Sequence, residues 1–205
     1  MYDRPMDDAA PREATAFILA GGKSTRMGVD KAFLDFDGRT LLARALELAR
    51  SVTPDARIVG RQEKFARFAP VVEDVFPGCG PLGGIHAALR ISAAELNLML
   101  AVDMPFLLPA FLRYLISQAH GEPEAVVVAP RCDGRWQPLC AIYRREFSEA
   151  AEKALRSGQN KIDLLFDLVK IRSIEEDELE QAGFSPAIFG NLNTPEELEA
   201  TRRRA

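Results

Sequence analysis

Leu19-Ala-Gly-Gly-Lys-Ser-Thr-Arg-Met-Gly-Val-Asp-Lys31 is the stretch on which the reading of the fold turns. Just upstream, the apolar run Thr15-Ala-Phe-Ile-Leu-Ala20 predicts a buried strand leading directly into Gly21 and Gly22. Paired glycines at a strand end let the chain turn sharply and bring backbone N–H groups close to a ligand. Lys23, Arg26 and Lys31 then face a single acid, Asp30, so the loop is cationic in a chain whose net charge is −4. Backbone donors and ammonium groups after a strand offset the desolvation of phosphate oxygens, which predicts a polyphosphate site. Gly22-Lys23-Ser24 imitates the end of a P-loop, but that motif requires glycine where Phe17 stands.

A second glycine-rich stretch, Gly78-Cys-Gly-Pro-Leu-Gly83, fits the dinucleotide pattern G-x-G-x-x-G by letter. Asp74 to Pro77 separate it from the nearest strand, and Pro81 falls where the turn should close, so a dinucleotide-dependent oxidoreductase is a distant alternative. Farther along, the near-continuous apolar run Asn97-Leu-Met-Leu-Ala-Val102 reads as a strand covered on both faces and ends in Asp103. Ala56–Val59, Val71-Val72, Ala125–Ala129 and Val169–Ile174 read as further strands. Helices are predicted from Thr40, over Gln62–Phe68, after Gly78–Gly84, from Pro109, over Arg145–Arg156 and Ile162–Leu168, and from Thr194-Pro195; Glu175 to Gln181 reads as a solvated helical face. Asp37-Gly38 reads as a turn, Arg131 to Trp136 as a polar loop, and Pro138–Tyr143 as an antiparallel strand after that short loop.

Alternating strands and helices give an α/β fold of Rossmann-like, three-layer α/β/α type, a mostly parallel sheet with one antiparallel strand. Residues 14–205 are expected to form one domain, and 1–13 a disordered tail with the character of neither a signal nor a transit peptide. Ligands of such sheets sit at the carboxyl ends of strands, so Gly21, Asp74 and Asp103 should converge. A mild negative charge argues against nucleic acid, and no apolar run is long enough for a membrane span. Cys79, Cys132 and Cys140 form no paired motif, which fits a reducing cytoplasm.

The first loop matches every fixed position of the LAGGxSxRMGxDK signature of the molybdenum cofactor guanylyltransferase family, which this chain resembles from Ala16 to about Leu198. The resemblance implies a magnesium-dependent nucleotidyltransferase that joins GMP from GTP to the terminal phosphate of molybdopterin and releases pyrophosphate. It places Leu19, Ala20, Gly21 and Gly22 in backbone contact with the nucleotide and Lys31 on the phosphates; the charge of Arg26 suits it to the outer phosphates as well. It also places Asp74 and Gly83 beside the nucleotide, Asp103 on magnesium, and Asn193 of the Asn-x-Asn-Thr-Pro ending near the metal and the pterin phosphate.

Each of these residues also has a plainer reading. Lys31 could be a solvated partner of Asp30, Arg26 a helix-surface cation, Asp74 a turn residue and Asp103 a helix cap. His86 reads as a packed side chain, and Trp136 either stacks on a flat heterocycle or lies partly buried against the sheet. The family often carries an Asn after its second strand, and here Gly60 or Arg61 holds that place. Molybdoenzyme maturation proteins are possible partners. The alternatives are the same transfer with another base or acceptor, including a sugar phosphate, or a silent nucleotide-binding maturation partner.

Overall fold

The computed structural model of the protein describes residues 13–21 and 30–191. Residues 1–12, 22–29 and 192–205 lie outside it, and with them the expected tail, Gly22, Arg26, Asn193 and the Thr194-Pro195 helix start.

The first strand, β1 (Ala14–Leu19), runs to Gly21. After a 3-10 turn at Lys31–Phe33, β2 (Asp35–Phe36) and β3 (Arg39–Thr40) form a small hairpin. Its Asp37-Gly38 turn has φ of 51° and 76°, the left-handed pair that a two-residue hairpin requires. Thr40 caps α1 (Leu41–Arg50), its hydroxyl accepting from the Ala43 amide at 3.2 Å. Next come β4 (Ala56–Val59), α2 (Gln62–Phe65), β5 (Val71–Val72), α3 (Pro81–Ile91), β6 (Leu96–Ala101) and α4 (Pro109–Gly121). The second half contains β7 (Val127–Cys132), β8 (Arg135–Trp136), β9 (Cys140–Tyr143), α5 (Phe147–Arg156), α6 (Asp163–Phe166), β10 (Ile171–Ile174) and α7 (Glu176–Gln181).

Among the described residues the main sheet runs in the order β10, β7, β9, β6, β1, β4, β5, with β8 paired to β7. β6, β1, β4 and β5 are mutually parallel, as are β7 and β10, while β9 lies antiparallel between β6 and β7. Alternation along the central strands separates two apolar layers. Ala16 and Ile18 of β1 and Leu96, Leu98 and Leu100 of β6 face α1 and α4, whereas Phe17, Leu19 and Met99 face α3 and α5. This is the three-layer α/β/α arrangement expected from the alternating pattern. No helix of the described residues is long and apolar enough to cross a membrane.

The stretch read as a polar loop at Arg131–Trp136 is a hairpin instead. β7 continues through Pro130 to Cys132, turns at Asp133-Gly134 with φ of 51° and 70°, and pairs back through Arg135 and Trp136. The acidic segment read as a solvated face is helix α7, but Leu179 is buried beneath it. Its Glu178 pairs with Arg172 and accepts from the Tyr114 hydroxyl at 2.8 Å, tying α7 to β10 and α4.

Candidate active site

Parallel pairing aligns the ends of four strands. Leu19 is in register with Val59 on one side and Ala101 on the other, and Val59 with Val72. Ala20-Gly21, Gly60-Arg61, Glu73-Asp74 and Val102-Asp103 therefore leave the sheet along one carboxyl edge.

At the centre of that edge, Lys31 Nζ lies 3.1 Å from Asp103 Oδ2. Both side chains are half-buried, which strengthens their attraction relative to a fully solvated pair. Local sequence explains how Lys31 is held. Asp30 accepts from the Ala32 amide at 3.0 Å and caps the turn that Lys31 begins, and its other oxygen pairs with Lys64. Phe33 then stacks on Phe65 at 5.9 Å and leans on Phe68 at 5.8 Å, anchoring the turn to α2. Asp103 is positioned from both sides: the Val102 amide donates to Leu19 O at 3.3 Å and the Ala101 amide to Leu139 O at 2.8 Å. Met104 and Leu107 are buried just beyond it.

Along the same carboxyl edge opens a cleft of about 580 Å³ lined by Gly21, Gly60, Arg61, Asp74, Gly80 and Gly84, among others. Asp74 Oδ1 accepts from the Phe76 amide at 2.8 Å, an Asx turn at the mouth of the glycine-rich loop. Burial pushes the Asp74 carboxyl above its ordinary range, partly opposed by the Phe76 amide and by His86. Gly83 explains how the carboxylate fits: a Cβ there would stand 2.7 Å from each Asp74 oxygen. Gly80, at φ 69°, precedes α3 and gives no side-chain cap, and Gly80, Pro81 and Gly84 line the cleft.

The structure thus brings Lys31 and Asp103 together and sets Leu19, Gly21, Asp74 and the Gly83 helix around the adjoining cleft. The amides of Ala20 and Gly21 both donate to Val59 O, at 3.1 and 3.2 Å, so they are not free for phosphate. What these two residues offer a ligand is carbonyl oxygen and bare backbone. Gly190 packs on the Phe106 ring, so the described chain arrives at Asn191 beside the loop that carries Asp103. His86 is buried, edge-on to Phe76 at 5.2 Å and 3.6 Å from Glu152, a packed side chain as expected. Trp136 is half-buried, edge-on to Phe166 at 5.2 Å, with the Arg131 guanidinium 5.4 Å from its ring centroid. Glu73, which also lines the cleft, escaped the sequence reading; its only signal was adjacency to a strand end.

A cation–carboxylate pair and a glycine-lined cleft on the carboxyl edge of such a sheet define a nucleotidyltransferase, an enzyme of Rossmann-like α/β architecture. Residues 16–171 match the family model described as the MobA-like NTP transferase domain, and the chain belongs to that family. Among its relatives, the molybdenum cofactor guanylyltransferase of Desulfosudis oleivorans is 36% identical, over 90% of this chain and 92% of that protein. Molybdopterin-guanine dinucleotide biosynthesis protein A of Archaeoglobus fulgidus superposes with a TM-score of 0.78 at 27% identity, covering 93% of this chain and 97% of that one. The 2-C-methyl-D-erythritol 4-phosphate cytidylyltransferase of Thermus thermophilus, at 19% identity, covers 94% of this chain and all of its own, with a TM-score of 0.68. It shares the fold alone.

Proposed function

We propose that this enzyme transfers the guanylyl group of GTP to the terminal phosphate of molybdopterin, with release of pyrophosphate. The observation that carries the reading is the Lys31–Asp103 pair, 3.1 Å apart, on the same carboxyl edge of the sheet as the cleft that Gly21 and Asp74 line. The names of its relatives supply the base and the acceptor.

An oxygen of the acceptor phosphate bonds to the α-phosphorus as the bond from that phosphorus to the bridging oxygen breaks, and pyrophosphate leaves with the electron pair. Because the acceptor phosphate is already anionic near neutral pH, the protein needs neither a covalent nucleophile nor a general base. Its work is positioning and charge neutralisation. The Lys31 ammonium supplies fixed positive charge beside the phosphates, and the backbone of Gly21 and the rim of α3 shape the cleft around the nucleotide. Asp74, held by the Phe76 amide, presents a carboxylate to hydroxyl donors of the nucleoside.

Magnesium fits the residues present. Among the described residues no three His, Cys, Asp or Glu side chains cluster to cage an ion. Magnesium usually takes one or two carboxylates and completes its shell with substrate phosphates and water, a role open to the half-buried Asp103. When bound there it would neutralise phosphate charge.

The test is product mass analysis after incubation with molybdopterin, magnesium and all four nucleoside triphosphates. A GMP adduct with stoichiometric pyrophosphate is expected. A CMP adduct, or nucleotide binding without pyrophosphate release, would refute the assignment.

A further inference from the structure

The strand order gives different tasks to different parts of the sheet's carboxyl edge. Lys31 and Asp103 sit over the central strands β1 and β6, whereas Gly60, Arg61, Glu73 and Asp74 follow β4 and β5, and β5 is the outermost strand on that side. A nucleoside triphosphate whose phosphates lie at the central pair directs its base outward, toward the ends of β4 and β5.

At that outer end, position 60 has no room for a side chain. A Cβ on Gly60 would stand 2.7 and 2.8 Å from two atoms of the Phe65 ring, which is buried and stacked on Phe33. Discrimination between bases therefore has to come from neighbouring side chains. Arg61 is exposed and turned to Glu63, 3.4 Å away. Asp74, held through Oδ1 by the Phe76 amide and packed over Gly83, is taken up by the hydroxyl donors of the nucleoside in the function proposed above. Glu73 differs from both. Its Oε1 accepts from the Gln62 amide at 3.0 Å, which fixes the carboxylate across the mouth of the β4 loop, and Oε2 has no hydrogen-bond partner among the described residues.

Building on the function proposed above, we propose that Glu73 is the base-selecting residue, accepting from the adjacent N1–H and 2-amino groups of guanine. An ionised carboxylate only accepts, and it can accept two parallel donors. Guanine alone among the common bases presents two adjacent donors on its pairing edge. Adenine and cytosine place a ring acceptor next to their amino group, and uracil flanks its single N–H with carbonyls. Those bases would set an acceptor against the carboxylate, which costs more than a missing contact.

Inosine triphosphate, which lacks only the 2-amino group, is the probe. Binding of GTP and ITP is measured by calorimetry for the wild type and Glu73→Gln, together with pyrophosphate release at saturating nucleotide. The glutamine keeps a carbonyl oxygen for the Gln62 amide, and an unchanged circular dichroism spectrum and unfolding midpoint confirm that the β5 end is intact. The wild type is expected to prefer GTP by roughly ten- to a hundredfold, the worth of a hydrogen bond to a charged group. In Glu73→Gln that ratio should collapse toward one through loss of GTP affinity. A GTP-to-ITP ratio unchanged by the substitution overturns the assignment of Glu73 while leaving guanylyl transfer standing. A wild type that transfers another nucleotide in preference to GTP overturns the functional reading itself.

Discussion

Substituting Gly83 by alanine would test whether the glycine-rich loop exists to seat the Asp74 carboxylate. The added methyl would lie 2.7 Å from both Asp74 oxygens and 3.0 Å from Cγ. The carboxylate cannot simply swing away, because Oδ1 holds the Phe76 amide at 2.8 Å. Two effects then compete. Alanine in a helix is better than glycine by about 1 kcal/mol, and forcing a methyl into filled space costs about 1–3 kcal/mol. In the wild-type background the net effect should run from neutral to about 2 kcal/mol destabilising. In an Asp74→Ala background the obstructing atoms are gone, and the same substitution should stabilise by about 1 kcal/mol.

The coupling between the two positions, about 1–3 kcal/mol, is free of the helix-propensity contribution, which is common to both backgrounds. Urea unfolding of the four proteins, followed by circular dichroism, measures it directly. At this chain length each kcal/mol moves the thermal midpoint by about 2–4 °C. Gly83→Ala should also raise KM for the nucleotide more than it lowers kcat, because it displaces a side chain proposed to contact the nucleoside. If the substitution has the same sign and size in both backgrounds, Gly83 is not there to make room for Asp74.

Asp74→Asn keeps an oxygen for the Phe76 amide but removes a charge that burial makes harder to form. Since the folded carboxyl titrates above its ordinary 3.8, its ionisation opposes folding at neutral pH and ceases to do so below about pH 4. The variant should therefore melt higher than wild type at pH 7, with the difference vanishing in acid, while its nucleotide affinity falls. Glu178 behaves in the opposite sense: the hydrogen bond from Arg172 holds its carboxyl below the ordinary 4.5. Its contribution is full above about pH 4.5 and is lost as pH falls through the lowered folded value, so Glu178→Gln should cost at most about 1 kcal/mol at pH 7 and converge with wild type in acid melting curves. Lys31→Ala should lower the pyrophosphate release rate by about 10²–10³-fold, the usual worth of one fixed donor at developing charge. It should shift the melting midpoint little, since a half-exposed ion pair contributes under about 1 kcal/mol. A steady-state phosphate assay and a melting curve on the same preparation separate the two effects.

The long central strands were legible because burial on both faces leaves an apolar run that has few alternative readings, as in Leu96–Ala101. The carboxyl-edge rule then placed Gly21, Asp74 and Asp103 on one side of the sheet before any distance was known. The β7–β8 hairpin was illegible for a local reason: Pro130, which lacks a ladder donor, argued for ending the strand at Ala129. The Asp133-Gly134 pair, a two-residue hairpin signal of the same kind as Asp37-Gly38, outweighed it in the folded chain. The commitment of the Ala20 and Gly21 amides to Val59 O had no sequence signal, because it depends on which strand lies beside β1. Glu73 was missed for a related reason. A carboxylate after a two-residue strand looks like any surface acid until the strand order shows that β5 forms the wall of the cleft.

That distribution has a physical basis. The groups proposed to handle phosphate must hold their positions against strong opposing charge; Asp103 directly follows β6, which pairs with β1 in the sheet's longest parallel register, and Lys31 is paired to it. Groups that choose among bases need only differ by a hydrogen bond or two, and they sit on short strands at the margin, where a changed side chain disturbs little packing. Gly60 and Phe65 fit this division: a buried ring occupies the space that a side chain at position 60 would need, so selection passes to the neighbouring loop without altering the central strands. The identity of the base was left to residues whose meaning appears only after the strands are ordered.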